Sequence, residues 1–115
     1  MASKTSSKKA KGRRLQDWIV QKLYETFPSL RDGDIKPAIM GESGEDVKLS
    51  PTARDSFPFS VEAKNTERLD LWGSFKQAEA NSGEHTPILF FKRNRSDVMV
   101  ALKAEDFLNI IKENK

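Results

Sequence analysis

Residues 59–64, Phe59-Ser60-Val61-Glu62-Ala63-Lys64, alternate apolar and polar side chains. A period of two reads as a half-buried β-strand. Side chains two apart on a strand share a face, so Glu62 and Lys64 point one way and Val61 and Ala63 the other. An acidic cluster, Glu42-Ser43-Gly44-Glu45-Asp46, precedes this run. Residues 87–91 form a second strand, a continuous apolar run of the kind covered on both faces.

The remaining elements are read around these two strands. Leu15, Trp18, Ile19, Leu23 and Phe27 recur at helical spacing, which predicts an amphipathic helix over 13–27 ended by Pro28. Arg31-Asp32-Gly33-Asp34 is a turn. Residues 35–40 are a weak strand that Pro37 confines to an edge. Residues 46–49 are a short strand with Val47 and Leu49 on one face, and 50–58 a polar connection carrying Arg54. A second helix spans 71–81, with Leu71, Phe75 and Ala78 on its apolar side. Lys92 to Ser96 make a basic turn, 98–102 a further strand and 104–113 a last helix with Glu105 and Asp106 in its first turn. The order predicts an α/β sandwich around one small mixed sheet.

The chain of 115 residues has room for one domain and a modest core. It has no cysteine, which excludes disulfides and thiolate metal sites. No apolar run spans a bilayer, and the N-terminal lysines precede no secretory apolar stretch. We therefore expect a soluble, cytoplasmic protein that does not associate with a membrane. The net charge is +3, but residues 1–14 hold six basic residues (Lys4, Lys8, Lys9, Lys11, Arg13, Arg14) and no acid. The rest, with fourteen basic and seventeen acidic residues, is net −3. Residues 1–12 read as a disordered arm, either solubilising or gripping nucleic-acid phosphates by counterion release. The second is preferred because the adjoining chain carries its own signal for phosphate chemistry.

That signal is Asp46, Glu62 and Lys64. Phosphodiester hydrolysis needs an activated water, neutralised phosphate charge and help for the leaving oxygen, which carboxylate-held divalent metals supply. Asp46 opens a strand whose other face is apolar, so it is a better ligand than Glu42 or Glu45, which read as solvated loop acids. Lys64 would orient or deprotonate the water, or neutralise transition-state charge. An isolated Glu-x-Lys is usually a surface ion pair; an acidic strand start before it and a helix after it strengthen the signal.

This arrangement resembles the PD-(D/E)XK nuclease superfamily, with Asp46 at the acidic position and Glu62-Ala63-Lys64 as the (D/E)-x-K element. Glu45 stands where that family often has proline. The resemblance implies a restriction-endonuclease-like three-layer sandwich over 13–115. It also implies Mg²⁺, with Mn²⁺ as substitute, held by Asp46, Glu62 and the Ala63 carbonyl. Gln77 matches a glutamine that many relatives carry in the following helix; an exposed helical side chain is its equal alternative. The resemblance narrows to small Holliday junction resolvase-like enzymes of archaea and phages through Lys11-Gly12-Arg13-Arg14-Leu15-Gln16, and Met40 to Asp46 resembles a phage-encoded branch of that group. That likeness implies branched DNA as substrate, a homodimer, and a phage-encoded origin. Gln16 stands where archaeal resolvases carry a metal-assisting glutamate, and a neutral amide is a poorer ligand. The alternatives are a nickase or exonuclease of the same fold on unbranched DNA, and a non-catalytic nucleic-acid-binding protein.

Phosphate contacts are expected from Lys8, Lys9, Lys11, Arg13, Arg14, Arg93 and Arg95. Trp18 is expected in the core, Trp72 near the substrate or simply packed, and His85, the only histidine, in a loop without a catalytic role. Gly41 and Gly44 are not a phosphate-binding loop, because the lysine and Ser/Thr of that motif are missing.

Overall fold

The computed structural model describes residues 4–39 and 41–114. Its elements run α1 (Lys4–Thr26), β1 (Ile35–Pro37), β2 (Val47–Leu49), α2 (Pro51–Ser56), β3 (Phe59–Asn65), α3 (Leu71–Ser82), β4 (Thr86–Lys92), β5 (Met99–Ala101) and α4 (Ala104–Glu113). The strands form one mixed sheet in the order β1-β2-β3-β4-β5. β3 and β4 are parallel, bridged by α3, and the other neighbours are antiparallel. Pro37 sits on β1, the edge, where its missing N–H costs no ladder bond. The expected strand reached Met40, which lies outside the described residues; the described part ends at Pro37.

One face of the sheet carries the core. Leu15, Ile19 and Leu23 of α1 are buried there with Ile35, Val47, Phe59, Val61 and Ile88. Tyr24 ties the same helix to the edge strand, its hydroxyl accepting from the Ile35 N–H at 3.0 Å. α3 covers the opposite face with Ser74, Ala78 and Ser82 buried, one residue every turn. Asp70 caps that helix by accepting from the Gly73 N–H at 3.0 Å.

Four expectations are corrected. Residues 4–12 are helical, not a disordered arm. A helix nucleated by the buried Leu15 and Ile19 extends cheaply through Lys8 to Lys11, since Lys and Ala propagate well. The Lys11 carbonyl also accepts a hydrogen bond from Asn65 Nδ2 at 3.0 Å. The connection 50–58 contains α2, whose start was written in Ser50-Pro51: Ser50 Oγ accepts from the Ala53 N–H at 3.0 Å, and proline suits the first helical position. Trp18 is 40% exposed with Lys22 Nζ 5.6 Å from its ring centre, so it lies outside the core. β3 is covered on both faces rather than half-buried, because α3 lies over the side that carries Ser60 and Glu62.

Candidate active site

Pairing of Val47 with Val61 brings the start of β2 beside the middle of β3. The Asp46 N–H donates to the Val61 carbonyl at 2.8 Å, and the Ala63 N–H donates to Asp46 Oδ2 at 2.8 Å. Asp46 and Glu62 are thereby neighbours, each shifting the titration of the other. Glu62 is 3% exposed. Its Oε1 accepts from Asn81 Nδ2 at 3.3 Å, and its Oε2 lies 3.7 Å from Lys64 Nζ. The structure thus brings together Asp46, Glu62 and Lys64, the three residues that the sequence singled out.

The electrostatics follow from that packing. Burial, then the Asp46 charge, push the Glu62 carboxyl up from 4.5 to about 7, against the opposing pull of Asn81 and Lys64. Burial also raises Asp46, although the Ala63 N–H and the Lys64 and Lys48 charges oppose the rise. Two carboxylates forced together under cover hold a proton or want a cation.

The acidic loop is built to deliver Asp46. Gly41 and Gly44 take φ of 86° and 96°, a region that side chains disfavour, and so turn the chain back on itself. Glu42 Oε1 accepts from the Ile39 N–H at 2.9 Å. Glu45 is not the solvated loop acid expected: it is paired with Arg54 of α2 and largely covered. Arg54 Nη1 also donates to the Phe59 carbonyl at 3.0 Å, which clamps the loop to the start of β3. Arg54 and Asn81 are the residues that sequence reasoning missed. The only signal for Arg54 was a lone basic residue in a polar connection.

Gln77 is exposed and makes none of the hydrogen bonds at Glu62. The α3 amide that reaches the carboxylate is Asn81, one turn later on the same side of the helix. Gln16 does meet the site: with Lys9, Arg13, Glu42 and Asp46 it lines a cavity of about 180 Å³. Arg14 stands on another side of α1, lining a groove with Trp18, Asn65 and Lys92. Asn65 follows Lys64 directly and pairs with Lys92, so the basic turn with Arg93 and Arg95 leaves the sheet at the same end. Lys8, Lys9, Arg13, Arg14, Arg93 and Arg95 are exposed, and Lys11 is partly covered. Trp72 is instead in a groove with Phe75, Glu79, Leu102 and Ala104, lined by neither Asp46 nor Glu62.

Among the described residues, no group of three or more His, Cys, Asp or Glu side chains is placed to hold a metal ion. The donors that the resemblance implies are Asp46, Glu62 and the Ala63 carbonyl, of which the structure brings the two carboxylates together. An all-oxygen set with two carboxylates fits a hard cation that keeps several waters, as Mg²⁺ does, and does not fit a closed zinc site. No helix among the described residues is long and apolar enough to cross a membrane. Compared with family models, curated proteins and solved structures, the chain matches none of them.

Proposed function

We propose that this chain is a divalent-metal-dependent DNA endonuclease of the PD-(D/E)XK kind, with a restriction-endonuclease-like fold, that acts on branched DNA. The observation that carries the reading is the buried Glu62 beside the half-buried Asp46, with Lys64 Nζ 3.7 Å from Glu62. Buried acids with displaced pKa values are costly to keep, and they cluster where chemistry is done. Mg²⁺ or Mn²⁺, when bound, would activate a water and neutralise charge on the phosphate. Asp46, Glu62 and the Ala63 carbonyl would hold it. The Ala63 N–H fixes the Asp46 carboxylate, and Asn81 fixes Glu62. Lys64 orients the attacking water or offsets negative charge on the phosphate. The basic side chains of α1 and of the β4–β5 turn, at the same end of the sheet, engage neighbouring phosphates.

One observation favours a second reading, a non-catalytic nucleic-acid-binding protein: the cavity beside Asp46 is lined by Gln16, an amide, where a further carboxylate would complete a metal cage.

The test is cleavage of a labelled four-way DNA junction, linear duplex and single strands, with Mg²⁺ or chelator, by wild type and Glu62→Ala. Paired symmetric cuts in the junction that need both the metal and Glu62 support the proposal. Cuts in linear DNA alone leave a nuclease of the same chemistry on unbranched substrate. Binding without cleavage in either Mg²⁺ or Mn²⁺ leaves the binding protein.

A further inference from the structure

Nine large apolar side chains are exposed among the described residues, and seven of them belong to three elements: Leu71, Trp72, Met99, Val100, Phe107, Leu108 and Ile111. They belong to the start of α3, to β5 and to α4. Helix α4 explains the concentration. Ala104, Phe107, Leu108 and Ile111 recur at i, i+3, i+4 and i+7, the spacing of one helical stripe. An amphipathic helix ordinarily lays that stripe on its own core. Here Asp106 and Ile110 face the body, and Ile110 alone of the apolar α4 residues packs on the core cluster. The stripe is turned outward: Leu108 is 61% exposed, and no α4 residue is buried. It continues through Ala104 into the apolar groove of about 510 Å³ lined by Leu71, Trp72 and Phe75. β5 beside it is the outer strand of the sheet. A patch of this kind, on the order of several hundred Å², marks an interaction surface.

The charges beside the stripe say what covers it. Glu105, Asn109 and Lys112 run along one edge, at i, i+4 and i+7, and all three are exposed. When two identical helices pack antiparallel about a two-fold axis, like edges meet in reverse order. Glu105 of each copy then faces Lys112 of the other, and the Asn109 side chains face each other. In a parallel pair unlike edges meet, so Glu105 of one copy does not face Lys112 of the other. The apolar positions obey the same rule: Phe107 meets Leu108 of the other copy, and Ala104 meets Ile111.

We propose that this surface pairs two copies of the chain, α4 against α4, antiparallel and isologous. The apolar stripe supplies the affinity, and the Glu105–Lys112 pairs set the direction. A homodimer is what the likeness to resolvases implies; the α4 surface is the new inference, and it uses none of the site residues.

Sedimentation velocity of the full chain from about 1 to 100 µM tests it. The wild type is expected to shift from monomer to dimer with concentration and to stop there. Leu108→Glu places a charge at a position already exposed in the single chain, so the fold survives and dimerisation weakens by about 100-fold. Glu105→Lys and Lys112→Glu, each alone, set like charges together at both ends and weaken the dimer by roughly 10-fold. An equimolar mixture of these two variants restores opposite charges at both ends and regains wild-type association. A wild type that stays monomeric throughout, or grows into larger oligomers, overturns the proposal. So does a Leu108→Glu chain that dimerises normally, or a mixture no tighter than its components.

Discussion

The carboxylate end of the sheet and the β5–α4 side break the usual partition of side chains in opposite directions. At the first, an acid is buried: Glu62 is 3% exposed, beside Asp46. At the second, apolar residues are bare: Trp72 is 81% exposed and Leu108 61%. Elsewhere the chain follows the rule, with Leu15, Ile19, Val47 and Val61 enclosed between α1 and the sheet. Neither exception helps the isolated chain. A buried carboxylate pair loses solvation that its neighbours only partly restore, and an apolar stripe in water forgoes its burial. On the readings proposed above, each is relieved by something the chain does not contain, a cation in one place and a second copy's surface in the other.

The comparison is broken most severely at the carboxylates. Glu62→Ala and Lys64→Ala are each expected to lower Mg²⁺-dependent DNA cleavage by about 10³-fold or more, read from a labelled substrate. Thermal unfolding should show that both variants remain folded. Cleavage that survives Glu62→Ala would reduce the buried pair to a structural feature. Next comes the ordinary core. Ile19→Ala should cost about 2–4 kcal/mol in urea unfolding, and Leu108→Ala less than about 0.5 kcal/mol at dilutions where the chain is monomeric. Equal losses at the two positions would show that the α4 stripe is packed after all.

A smaller effect separates the proton from the cation. Glu62 binds its proton more tightly when folded, with a pKa of about 7 against 4.5. Between those values the native state holds more protons than the unfolded chain, so stability falls as pH rises. The expected loss is on the order of 3 kcal/mol across that window. Glu62→Gln flattens this part of the profile, and Mg²⁺ raises the melting temperature of the wild type above pH 7 but not of the variant. A wild-type profile already flat from pH 5 to 8 would contradict the burial argument. Smallest is the amide on α3. Asn81→Ala removes a hydrogen bond that favours the charged form of Glu62, so its NMR titration midpoint moves upward by less than about one unit. Gln77→Ala leaves that midpoint in place. The reverse result would return Gln77 to the site.

How much of the site was legible depends on the range of the interactions that make it. Glu62 and Lys64 share a face because strand geometry alone requires it. Asp46 could be chosen over Glu42 and Glu45 because it opens a strand with an apolar face. Asn81 and Arg54 could not be chosen, since their roles depend on where α3 and α2 dock. Gln77 and Asn81 are one turn apart on the same side of α3, and only the height of the helix over the sheet selects between them.

The sequence by itself determined the local matters: the strand periods at 46–49 and 59–64, the apolar run of β4, the edge position forced by Pro37, and the lysine paired with Glu62. These rest on backbone geometry and nearest neighbours, which a few residues carry. It also contained the start of α2, in Ser50 and Pro51, and the helix-forming residues Lys8 to Lys11 that extend α1. Tertiary structure decided the rest: Val47 opposite Val61, Glu62 sealed beneath α3, Trp18 outside the core and the apolar side of α4 facing away from the body. The reason is physical. Periodicity shows which side chains lie together on an element, but an amphipathic element has the same pattern whichever way it is turned. Which side is covered depends on the packing of segments far apart in the chain, and in this protein that packing buried an acid and exposed a hydrophobic stripe.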